Sequence, residues 1–136
     1  MLWKKLLTGL ATLILVLLGL TAHTLFRFDL MANPVVSEIR SNTDRWGERA
    51  VLTPRPFHEA APRASVQQSL RRAGFTRIAD QDVWQRYADE VANGRQVWSR
   101  ETTRFPCNSK AYVFVSFTEN DTLDFAEGTI EEHGCL

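Results

Sequence analysis

Residues 107–135, CNSKAYVFVSFTENDTLDFAEGTIEEHGC, decide the fold of this chain. Lys110 to Thr118 is dense in aromatic and β-branched residues, the composition of a strand. Glu119-Asn120-Asp121-Thr122 supplies turn chemistry, and Leu123 to Glu132 reads as a returning strand. With Asn120 to Thr122 as the loop, antiparallel partners have residue numbers adding to 242, so Phe117 faces Phe125 and Val115 faces Glu127. Cys107 and Cys135, the two cysteines of the chain, obey the same rule. They would then stand opposite each other about 4.5–5.5 Å apart, within reach of a disulfide. Ile130 falls on the opposite parity from Leu123 and Phe125. The returning strand is therefore either buried on both faces or bulged near Gly128, shifting the register by one.

Working back from the hairpin, Gln96 to Phe105 carries Val97, Trp98, Thr102, Thr103 and Phe105 and reads as a third strand on the free side of Ala111 to Phe117. Asp80 or Asp82 opens a helix through Asn93 with Gly94 as its stop, and Val83, Trp84, Tyr87, Ala88 and Val91 give it helical spacing. Ser65 is placed to cap a helix over Val66 to Ala73, ended by Gly74, with Val66, Leu70 and Ala73 as its apolar stripe. The expected class is α+β: two helices and a three-stranded antiparallel meander over residues 64–136, stapled by one Cys107–Cys135 disulfide. In the chain-entropy picture such a crosslink is worth about 3.5 kcal/mol, a large share of the margin of a small domain.

Upstream, Val51 to Arg63 holds three of the five prolines and reads as an extended linker. Asn33-Pro34 opens a short helix, Asn as cap and Pro at the first position, with Val35, Val36, Ile39 and Trp46 on one side. Leu6 to Phe28 has no charge before Arg27, and as a helix it would span about 34 Å against a hydrocarbon core of about 30 Å. Cleavage after Ala22 or Ala32 would place leucine where a signal peptidase wants a small residue. The expected organisation is a single transmembrane anchor or uncleaved signal over 1–29, a juxtamembrane segment and linker over 30–63, and an extracytoplasmic domain over 64–136. Lys4 and Lys5 put the N-terminus in the cytoplasm of an inner (plasma) membrane. On a helix Thr8, Thr12, Gly19 and His23 form one stripe of small or polar side chains, a candidate contact face for a membrane-protein partner.

Charge and chemistry narrow the function. From Asp29 onward thirteen basic residues meet sixteen acidic ones, and from Ala111 onward there is no Lys or Arg. No basic patch invites nucleic acid. His23, His58 and His133 lie far apart, so no metal or other cofactor is expected. Glu131-Glu132-His133 is the nearest approach to an acid–base cluster, and its plainer reading is a solvated strand end. Glu119 to Asp124 resembles a calcium loop only superficially, since the glycine such a loop requires is missing. The two cysteines are too far apart in sequence for a redox CxxC pair. Trp84, Tyr87 and Trp98 suit either a ligand pocket or, more ordinarily, a core. No nucleophile elbow or phosphate-binding loop is present. The expectation is a non-catalytic accessory or interaction subunit of a membrane complex, with a small-ligand-binding module as the alternative.

Overall fold

A computed structural model describes residues 9–21, 33–104 and 107–135, and the chain divides into two units, Met1–Ala32 and Asn33–Leu136. In the first unit, residues 9–21 form helix α1, with every side chain exposed and the Thr21 hydroxyl donating back to Leu17 O at 2.9 Å. Thirteen residues rise only about 20 Å, short of a hydrocarbon core of about 30 Å. No helix among the described residues is long and apolar enough to cross a membrane. The single-pass anchor, its cytoplasmic N-terminus and the inner-membrane location expected from the sequence are corrected accordingly.

The second unit comprises, in chain order, α2 Pro34–Ser41, β1 Arg49–Val51, α3 Arg63–Arg72, β2 Thr76–Arg77, α4 Ala88–Ala92, β3 Gln96–Arg104, β4 Cys107–Phe117 and β5 Leu123–Cys135. Two 3₁₀ turns, Asp80–Asp82 and Gln85–Tyr87, precede α4. The strands form one antiparallel sheet in the order β1-β5-β4-β3-β2. The three-stranded meander is thus the centre of a five-stranded sheet. Its two outer strands were hidden because two or three residues leave no alternation to read.

Hydrogen-bonded rows explain why β4 is apolar on both sides. Trp98, Val113, Gly128 and Ala50 stand in one row and Val97, Phe114, Glu127 and Val51 in the next, pointing to opposite faces. On the first face Ile39 of α2 lies against Gly128, where an added Cβ would come within 2.5 Å of its Cδ1. On the second face Tyr87 packs with Val97, Tyr112 and Phe114, flanked by Ile78, Val83, Val91 and Phe125. Leu52 and Phe57, from the stretch read as a linker, are buried, and the Leu52 N–H donates to Ala126 O at 3.0 Å.

The hairpin register departs from the simple rule twice. Val115 faces Ala126 and Phe117 faces Leu123, while Cys107 still faces Cys135, because Asp124 and His133 are left unpaired as bulges. The shifts therefore flank Gly128 and do not fall on it. No cysteine among the described residues is free. The described residues establish the register; the expected staple turns on the Cys135 side chain, which lies outside them.

Helix starts and stops differ in part. Asn33 caps α2 as expected, its side chain accepting from the N–H groups of Val35 and Val36 at 3.2 and 3.1 Å. Helix α3 begins two residues before Ser65 and has no side-chain cap. The hairpin tip replaces one: Arg63 N–H donates to Asp121 O at 2.8 Å and Leu123 N–H to Ala61 O at 2.8 Å. The expected helix over 80–93 is broken where Val83 and Trp84 adopt ψ near 130° and 136°. That extended pair carries Val83 into the second core and leaves Trp84 47 % exposed.

Candidate functional site

The chemistry of the second unit concentrates on the second face of the sheet, under the turns that carry Trp84, Arg86 and Tyr87. Glu131 stands opposite Lys110 in the register and is buried. A buried carboxylate needs partners. Tyr87 donates its hydroxyl to Glu131 Oε1, and Arg86 Nη1 donates to Oε2 at 2.9 Å. Burial, then the Glu131 hydrogen bond and its charge, raise the Tyr87 phenol above its ordinary value of 10.0. Burial and the Glu131 charge raise Tyr112 as well.

Four rings close a circuit above this carboxylate. Their centroids lie 6.0 Å apart for Trp84–Tyr87, 4.9 Å for Tyr87–Tyr112, 6.0 Å for Tyr112–His133 and 5.5 Å for His133–Trp84. The edges and tilts are those aromatic quadrupoles prefer. His133 reaches the circuit because it is the bulge residue of β5, and its Nε2 lies 3.2 Å from the Tyr112 hydroxyl. The Arg86 guanidinium carbon sits 5.9 Å from the Trp84 ring centroid. An exposed indole is thereby held by a ring edge, an imidazole and a cation.

A second buried carboxylate lies on the same side. Glu90 of α4 accepts from Arg49 at 2.6 Å and from Arg95 at 2.6 Å. Arg49 also reaches Glu127 at 3.4 Å. Desolvation alone would push the Glu90 carboxyl up, but hydrogen bonds from Arg95 and Arg49 more than offset it and leave it below 4.5. Each cation lies over a ring, Arg49 above Phe114 at 4.7 Å and Arg95 above Phe125 at 3.8 Å. These pairs tie the short helix and the edge strand to the sheet and present no free reacting group.

The residues singled out in the sequence are dispersed. Glu131 and His133 join the aromatic circuit, whereas Glu132 is exposed. Trp84 and Tyr87 meet on the second face, while Trp98 is buried in the row that faces the other side. Asp121 pairs with Arg63 at 2.8 Å and Asp124 accepts from Ser116 at 3.4 Å, so the resemblance to a calcium loop has a structural account. No group of metal-ligating side chains converges among the described residues. Cys107 and Cys135 face each other across the ladder. Thr12 and Gly19 lie exposed on α1, and Thr8 and His23 fall outside the described residues. His58 is exposed in the loop after β1. Arg49, Arg86, Glu90 and Arg95 escaped notice in the sequence, though Arg86 between Trp84 and Tyr87 was a usable signal for a cation beside aromatic rings. No protein family, curated protein or solved structure matches the chain.

Proposed function

We propose that residues 33–136 form a non-catalytic interaction module, an accessory part of a larger complex, that docks a protein partner through Trp84 with Arg86 and His133 beside it. The exposed yet clamped indole carries this reading. Leaving a tryptophan side chain half in water forgoes the burial that a large apolar side chain gains in a core. Holding it fixed against Tyr87 and His133 lowers the ordering cost of later binding. Tryptophan, tyrosine and arginine also dominate the energetic centres of protein interfaces. The partner suited to this face offers an apolar pocket for the indole and a carboxylate for the exposed side of Arg86.

The alternative, a small-ligand module, has less in its favour: Tyr87, Tyr112 and Phe114 fill the space between the turns and the sheet with one another. Trp84→Ser in the full chain tests the docking reading. We expect the melting temperature to stay close to wild type, because the side chain is exposed, and a co-purifying protein to be lost from the variant. Retention of the same proteins by folded Trp84→Ser overturns it.

A further inference from the structure

At one side of the sheet the short strand β1 is the outermost strand. Leu52 donates to Ala126 O and continues the register in which Ala50 faces Gly128. Hydrogen-bonded pairs alternate along an antiparallel ladder, so Ala50 turns its N–H and C=O toward β5. Arg49 and Val51 turn theirs outward. A groove of about 370 Å³, lined by Glu38, Asn42, Val51, Pro54 and Arg55 among others, runs beside this edge and leaves room for another strand. Val51 is 58 % exposed and, with Trp84, one of two exposed large apolar side chains among the described residues of this unit. Natural proteins commonly blunt a bare apolar edge with charge, proline or cover.

We propose that β1 pairs with β1 of a second copy of the chain, antiparallel about a twofold axis at Ala50, and joins two sheets into one of ten strands. In this register Arg49 of each copy faces Val51 of the other and exchanges N–H···O bonds both ways, while Ala50 faces Ala50. No like charges meet. The other open edges suit self-pairing less well. On β2 the Ile78 N–H donates to Val97 O, which turns Arg77 outward, so a symmetric pair would set Arg77 against itself. On β3 beyond β2, an axis at Thr102 sets Arg100 opposite Arg104, and an axis at Glu101 sets that carboxylate opposite itself. Like charges directly opposite destabilise a strand pair. The surface lies outside the Trp84 face and stands or falls independently of the docking reading.

Sedimentation equilibrium of the full chain tests it. The mass is expected to climb from 15.5 kDa toward twice that value with concentration, and the Arg49 and Val51 amides to exchange more slowly as it does. Val51→Pro removes an outward N–H while sparing the internal ladder. Val51→Lys sets a cation opposite Arg49 of the other copy. Each should weaken self-association by about tenfold or more, since a tenfold change answers to roughly one or two net hydrogen bonds, and Val51→Thr should leave it unchanged. Should Val51→Pro fail to fold, Val51→Lys at the same exposed position carries the test. A wild-type chain that sediments as a monomer at every concentration overturns the proposal, as does self-association by both variants with wild-type strength.

Discussion

Gly128 shows how one missing methyl group sets the distance between layers. Ile39 is fully buried directly over it, and an alanine Cβ there would lie 2.5 Å from Ile39 Cδ1 and 2.6 Å from Cγ1. Gly128→Ala should therefore destabilise the domain by about 1–3 kcal/mol, the cost of overpacking a filled core. Ile39→Ala should cost about 2–5 kcal/mol alone, and the double variant should fall short of the sum, which denaturant melts of the full cycle would check. Glu90 and Tyr87 make the corresponding electrostatic statement. Glu90 has a folded pKa below 4.5, so its contribution is present above pH 4.5 and lost as pH falls below it. Tyr87 has a folded pKa above 10.0, so its contribution is whole below pH 10 and lost as pH rises beyond it. Stability should hold level in between and decline at both ends. Glu90→Gln should cost about 2 kcal/mol at neutral pH, discounted for the partial exposure of its arginines, and should flatten the acid decline in pH-dependent melts.

Among the elements, α2 follows from its sequence and α3 does not. Asn33 closes the start of α2, and its amide nitrogen also donates to Ala73 O at 2.7 Å, joining the first turn of α2 to the end of α3. Asn33→Ala loses the cap and leaves a buried carbonyl unmet, so we expect a loss of about 2 kcal/mol in chemical denaturation, with Asn33→Asp recovering only the capping share. The cap was legible because it is a local bond between residues two and three apart. The start of α3 was not, because Asp121 O from a distant hairpin satisfies it and makes Ser65 redundant. The hairpin lies between these cases. Its composition announced two strands and its cysteines the register at the open end, but bulges at Asp124 and His133 shift the pairing in the middle by one, a change that composition does not encode. The bulge at His133 in turn brings the imidazole to Trp84, so the candidate site stayed invisible while its aromatic parts were in plain view.

At the scale of the molecule, the stretch between Asn33 and Arg63 belongs to the folded unit. Its prolines suggested a spacer, yet Leu52 and Phe57 are core residues and β1 completes one edge of the sheet. A sheet covered on both faces needs more chain than residues 64–136 provide, which is why the second layer had to come from upstream. The result is a small domain with both faces packed, no converging reactive cluster among its described residues, and an indole held at the surface by Tyr87, His133 and Arg86. The claim that this indole is the docking point is tested most directly by placing a photo-crosslinking aromatic amino acid at position 84 in the full chain in its native cells, with the same group at exposed Gln68 of α3 as the control. The account predicts one dominant crosslinked protein from position 84 and none from position 68. Equal crosslinking from both positions, or none from position 84 in a folded chain, would contradict it.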